Sequence, residues 1–221
     1  MKNVKKVVTT LILSLALSGL SQATELEDMG LTKIEDTGQR VVYLKTDQDF
    51  SKYDSIAIAD IASDDVKVSL PSGSIAGESN WQMDEDRQAR VEKLHREAFD
   101  SEFAAVEGFE LVDGVDANTL VLVTRLSEVS PAVGYDPHGK AGRVNVYSKG
   151  SGSAVIEMFL VDGGTGEVVA AVANGRQLGH FARNNNSVTN ASDAQFAFRA
   201  WARQAREAVE NLPAMASEAR G

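Results

Sequence analysis

The chain contains no cysteine. That excludes a disulfide framework, a thiolate metal site, a cysteine nucleophile and a lipid-modified N-terminal cysteine. It has only 3 histidines, so imidazole chemistry has few carriers. Cationic side chains are in deficit, 22 Lys and Arg against 32 Asp and Glu, for a formal charge of -10. Such an excess of acid argues against a nucleic-acid partner, whose phosphates attract Lys and Arg and repel carboxylates. A long hydrophobic run is missing too: the apolar stretch at residues 7–20 falls short of the roughly 20 residues a bilayer span needs. What remains is the composition of an ordinary globular chain, 43% hydrophobic and 24% charged in 221 residues, a length that suits one domain or at most two.

The beginning reads as an address. Lys2, Lys5 and Lys6 precede the apolar run, and Ser21-Gln22-Ala23 places small residues one and three positions before a cut. This is the three-part pattern of a secretory signal peptide. Residues 1–23 are therefore expected to be a signal peptide cleaved near Ala23. The rest would be free in the periplasm or secreted, and not a lipoprotein. An exported chain without thiols also escapes the oxidising chemistry of that compartment.

Residues 24–52 are polar and acidic, and read as an N-terminal arm with one short extended piece at residues 41–44. Residues 53–213 read as a single domain, and residues 214–221 as a tail. Ile56, Ile58 and Ile61 mark a strand, and residues 66–70 a second short one. Asp84, Glu85 and Asp86 put negative charge where a helix start favours it. Val91, Leu94, Ala98, Phe99, Phe103 and Val106 follow at helical spacing up to Gly108. Residues 109–112 and 119–129 read as strands. Residues 131–152 form a long glycine-rich stretch, the kind of loop that is usually functional or mobile. Residues 154–161 and 167–178 read as a hairpin around Asp162-Gly163-Gly164-Thr165-Gly166, its glycines supplying positive φ. Ser192 and Gln195 match a capping box for a last helix that Pro213 stops.

This order predicts an α+β fold: a two-layer sandwich of a mixed, mostly antiparallel sheet of about five strands with two long helices on one face. Ala154, Ile156, Met158 and Leu160 point one way from the hairpin, and Val155, Phe159 and Val161 the other. A sheet apolar on both faces needs a second cover. The expected cover is the arm, ahead of another copy of the chain or a ligand.

The stretch Gly150-Ser151-Gly152-Ser153-Ala154-Val155-Ile156-Glu157-Met158-Phe159-Leu160-Val161-Asp162, followed by Thr165-Gly166-Glu167-Val168-Val169-Ala170-Ala171-Val172, resembles the bacterial domain-of-unknown-function family 3313. Tyr53-Asp54-Ser55-Ile56-Ala57-Ile58 and Asp116-Ala117-Asn118-Thr119-Leu120-Val121-Leu122 sit where similar segments of that family sit. The resemblance covers about residues 45–212. It implies an exported envelope protein with no assigned activity. Many of the family look like lipoproteins, and this chain departs from them in having no cysteine.

Candidate chemistry is thin. His95 and Glu102 share a face of the first long helix, but no nucleophile stands beside them, and His95 is expected to be a packed histidine with one hydrogen bond. Tyr135, Asp136, His138, Arg143 and Tyr147 lie in the long loop, and His180 follows the last strand. Two histidines and a carboxylate are a legitimate metal set, yet none of the usual spacings is present. The glycine-rich segments lead into strands, and no Gly-Lys-Ser, Gly-Lys-Thr or Gly-x-Ser-x-Gly follows. No catalytic residue, metal or cofactor is assigned. The expectation is a non-catalytic module that binds an envelope protein or itself, with no nucleic acid and no membrane span in the mature chain. Its contact candidates are Tyr135, Asp136, His138, Arg143, Tyr147 and His180, together with a free sheet face or edge. The alternatives are a metal-dependent or hydrolytic enzyme using Asp136, His138 and His180, or a carrier of an apolar small molecule lined by Phe99, Phe103, Met158 and Trp201, for which a filled core is the competing expectation.

Overall fold

A computed structural model describes residues 22–70, 82–133 and 147–220. The expected signal segment and most of the long loop lie outside these residues. In chain order the elements are helix α1 (Gln22–Asp28), strands β1 (Thr32–Asp36), β2 (Arg40–Leu44), β3 (Ser55–Ile58) and β4 (Lys67–Val68), helix α2 (Glu85–Phe103), strands β5 (Glu110–Leu111), β6 (Thr119–Pro131), β7 (Tyr147–Lys149), β8 (Gly152–Asp162), β9 (Val168–Leu178) and β10 (Ala182–Asn184), and helices α3 (Ser187–Glu210) and α4 (Leu212–Arg220). Among the described residues no helix is long and apolar enough to cross a membrane.

The α+β reading holds, with an eight-stranded sheet in place of about five strands. Its order is β1-β2-β9-β8-β6-β3-β5, with β4 also on β6, and β7 and β10 form a separate ribbon. The pairs β3–β5, β3–β6 and β4–β6 are parallel and the others antiparallel. The extra strands come partly from the expected arm. Its β1 and β2 form a hairpin, and β2 runs antiparallel to β9 from Arg40 opposite Asn174 to Leu44 opposite Ala170.

Strand alternation splits the interior in two. Leu120, Leu122, Leu126, Ile156, Met158 and Leu160 face the long helices, where Phe99, Phe103, Phe198 and Trp201 cover them. Fully burying one such side chain contributes on the order of 2 kcal/mol. Val121, Val123, Phe159, Val161 and Val168 face the other side and pack with Leu26 and Leu31. The second face is thus covered by the segment that precedes β1, as expected. A bulge in β6 between Leu126 and Glu128 shifts the alternation by one, so Val129 joins Leu126 on the helix side.

The helix starts show what local sequence can mislead. The Asp84 side chain accepts from the Arg87 amide at 2.9 Å and caps α2, as expected. For α3 the cap is Asn186, not Ser192. Asn186 Oδ1 accepts from the amides of Val188 and Thr189 at 3.0 Å, and the Asn186 amide donates to Thr189 Oγ1 at 3.1 Å. A cap needs an extended residue ahead of the helix, and Asn186 supplies it with φ -145° and ψ 171°. Pro213 stands in the first turn of α4, where its missing N–H is harmless, so the expected tail is a helix.

The turn between β8 and β9 is anchored on Asp162, 2% exposed. Its Oδ1 accepts from the amides of Gly164 (2.8 Å) and Thr165 (2.9 Å). Its Oδ2 accepts from Lys52 Nζ (2.5 Å) and Tyr53 Oη (2.8 Å), and Gln48 Nε2 donates to the same Tyr53 oxygen at 2.9 Å. Burial alone would raise the Asp162 pKa. The Lys52 bond, with those from Thr165, Tyr53 and Gly164, outweighs it and holds the carboxyl well below the usual range. The glycines of the turn serve different ends: Gly166 has φ +76°, whereas a Cβ on Gly163 would meet the Asp116 carbonyl oxygen at 2.5 Å. Glu167 reaches Lys45 at 2.9 Å.

Candidate functional site

Helices α2 and α3 run in the same direction on the sheet. Their C-terminal halves are joined: Arg206 reaches Glu102 (3.5 Å) and Glu210 (2.8 Å), and Glu210 accepts from the Glu107 amide (3.0 Å). Between their N-terminal halves lies a cleft of about 880 Å³. Sheet residues such as Leu126, Val129 and Leu178 line it together with Val91 and Leu94 of α2 and Phe198 and Trp201 of α3. One wall carries Arg87, Arg90 and Lys93, and the facing wall carries uncharged Ser187, Asn190, Ser192 and Gln195.

A chain of polar side chains closes the end of the cleft nearest the β7–β10 ribbon. Ser151 Oγ lies 2.5 Å from Asp193 Oδ2 and 2.8 Å from Asn190 Oδ1. Asn190 Nδ2 donates to Asn185 Oδ1 at 2.9 Å, and Asn185 Nδ2 to Ser148 Oγ at 2.8 Å. Asp193 is 3% exposed. It fits only because Gly179, with φ +79°, has no Cβ; one there would stand 2.5 Å from its carboxylate oxygens. The network fastens the ribbon and the entry of β8 to the first turns of α3. Around it sit three exposed apolar side chains: Tyr147 on β7, Phe181 just before β10, and Val188 in α3.

Of the residues singled out from sequence, Tyr147 and His180 are described, and both are exposed. They sit at opposite ends of the ribbon. Tyr147 pairs with Asn184, whereas His180 precedes Phe181, whose carbonyl accepts from the Gly150 amide at 3.2 Å. Tyr135, Asp136, His138 and Arg143 lie outside the described residues, and with them two of the three members of the metal set Asp136, His138 and His180. Among the described residues no group of three or more His, Asp or Glu side chains is placed to hold a metal ion.

His95 and Glu102 do not form a site. His95 is 2% exposed and stacks on Phe99 with ring centroids 4.3 Å apart, with the edge of Phe198 at 6.3 Å. Its Nε2 meets no hydrogen-bond partner among the described residues. Burial pushes its pKa down to about 4. Filled core, the preferred reading over a pocket around Phe99, Phe103, Met158 and Trp201, holds at Phe99 and Phe103, with a void of about 50 Å³ beside Met158. Trp201 belongs instead to the floor of the cleft. The free sheet face expected as a contact surface is covered by Leu26 and Leu31. The cleft residues Arg87, Arg90 and Lys93 were not anticipated. Their spacing of three, which Arg96 continues, was the available signal.

Residues 21–205 match the family described as a protein of unknown function (DUF3313). A search of curated proteins finds no match. Among solved structures, the PelC dodecamer from Paraburkholderia phytofirmans is similar at 14% identity and a TM-score of 0.38, over 74% of this chain and 95% of that one. Protein XCC0632 from Xanthomonas campestris, of family DUF330, is similar at 12% identity and a TM-score of 0.42, over 75% and 89%.

Proposed function

The chain belongs to the DUF3313 family of proteins of unknown function, and on that premise we propose a non-catalytic module, exported from the bacterial cytoplasm, that binds another component of the cell envelope. The basic start, the apolar run and the small residues at Ser21 and Ala23 support export with cleavage near Ala23. The absence of cysteine supports a mature form free of a lipid anchor at that position.

The observation that carries the binding role is the cleft. Its volume of about 880 Å³ falls within the roughly 300–1,000 Å³ of sites that enclose a ligand, and it has the usual make-up of apolar walls with a few placed polar groups. Exposed Val188, Phe181 and Tyr147 at the same end of the molecule add the apolar surface that marks an interaction site.

Photo-crosslinkers placed at Val188 and Phe181 in intact cells test this, with Leu111 at the far end of the sheet as control. Capture of an envelope protein or lipid from Val188 and Phe181, and not from Leu111, is the expected result. No capture, or equal capture at all three positions, overturns the reading. The captured chain should also have the mass of residues 24–221, and recovery in the cytosol with its first 23 residues attached would overturn export.

A further inference from the structure

The charge lining the cleft is opposite to that of the molecule. Four charged residues line it, Arg87, Arg90, Lys93 and Glu97, three of them cationic, in a chain of net charge -10. The three cations recur every third residue along α2, a row of about 9 Å at 1.5 Å per residue. Arg87 is half-buried and held by Asp84 and the Gln82 carbonyl, but the other two have shallow partners: Arg90 Nε donates to the Asp86 carbonyl at 3.1 Å, and Lys93 meets Glu97 at 3.8 Å. Exposed pairs of this kind hold their side chains weakly and exchange readily for a better anion. Beside this row the wall turns apolar, through Val91 and Leu94 to Phe198 and Trp201 on the opposing helix.

Resting on the binding role of the cleft, we propose that its occupant is an anionic single-chain amphiphile. The acyl chain lies along Val91, Leu94 and Leu178, above the buried Phe198 and Trp201, and the anionic head meets Arg90 and Lys93. A neutral apolar molecule would make no use of the Arg90 and Lys93 charges. A small anion alone would leave the half-buried Val91 and Leu94 in contact with water. One ligand with both characters satisfies both walls.

The test uses the purified full-length chain with oleate as probe and oleyl alcohol as its uncharged counterpart. Oleate should bind saturably at one per chain, and oleyl alcohol at least about tenfold more weakly. Two variants at exposed positions separate the contributions. Arg90→Glu with Lys93→Glu should weaken oleate about tenfold and leave oleyl alcohol unchanged. Ala191→Trp, which fills the cleft from α3, should weaken both about tenfold, with thermal unfolding as for the parent chain. Absence of saturable oleate binding overturns the inference, as does oleate binding that the charge reversal leaves untouched. If oleate fails while Val188 still captures a protein in cells, the amphiphile falls and the binding role stands. If both fail, both fall.

Discussion

The turn joining β8 to β9 and the entry to α3 lie at opposite ends of one sheet and are built on opposite terms. At the turn, a carboxylate 2% exposed takes four donors from the chain itself, and the neighbouring helix ends are linked through Glu102, Arg206 and Glu210. At the entry, the helices part around a cleft and apolar side chains stand in solvent: Val188 is 76% exposed and Phe181 80%. The eleven residues of β8 that separate the two ends span about 35 Å. The fastenings of the fold and the surface offered to a partner are therefore far enough apart to be altered independently.

Removing the Asp162 carboxylate is the strongest way to break this contrast. Asp162→Ala leaves Lys52, Tyr53 and two backbone amides without their acceptor, and should lower the unfolding free energy by about 3 kcal/mol in a denaturant titration. Binding at the cleft should persist wherever the variant is folded. A loss under about 1 kcal/mol would show that the turn is not what fastens that end. Because the folded Asp162 pKa is depressed, its contribution is present above about pH 4 and is lost as the pH falls below that.

His95 stands between the two regions and tests the acid side of the contrast. Burial lowers its pKa to about 4, with Asp60 opposing the shift and Arg96 adding to it. The unfolded chain takes up its proton first, at about pH 6.5, so stability is full at neutral pH and falls as the pH drops from about 6.5 to about 4, by about 3 kcal/mol in all. His95→Phe should flatten that part of the profile. A pH profile identical to that of the parent chain would show that folding does not lower the His95 pKa.

The smallest effect on stability is expected where the largest effect on binding is. Val188→Ser should change unfolding by no more than about 0.5 kcal/mol and still weaken capture of the cleft partner. A destabilisation of about 2 kcal/mol would mean that the open end is part of the core after all.

What could be read from sequence was what local pattern decides. The β8–β9 hairpin declared itself through two apolar strands around a glycine turn, and α2 through Asp84 and its periodic stripe. The arm showed β2 as an extended piece at residues 41–44 but hid β1, which reads Thr-Lys-Ile-Glu-Asp with no apolar alternation to mark it. Its pairing to β2 is decided across the chain rather than within it. Ser192 and Gln195 satisfied the capping pattern, yet they lie inside α3, beyond its first turn, since the strand that precedes the helix fixes where extended backbone ends. The cleft was not visible at all. Val91, Leu94, Phe198 and Trp201 carry the spacing of core residues, and only the separation of the two helix starts turns some of them into walls.

The polar character that concealed β1 has a further consequence. An edge strand offers unpaired amides and carbonyls to any other chain that can lie flat against it. Here the newcomer would meet Lys33, Glu35 and Asp36, with Lys33 tied to Asp36 at 3.2 Å and Glu35 to Arg40 at 3.3 Å, and a register irregularity between Lys33 and Glu35 that spoils a straight ladder. The opposite edge, β5, is two residues long. The sheet ends on both sides in strands that make poor templates, so crowding of many copies need not lead to growth of one continuous sheet.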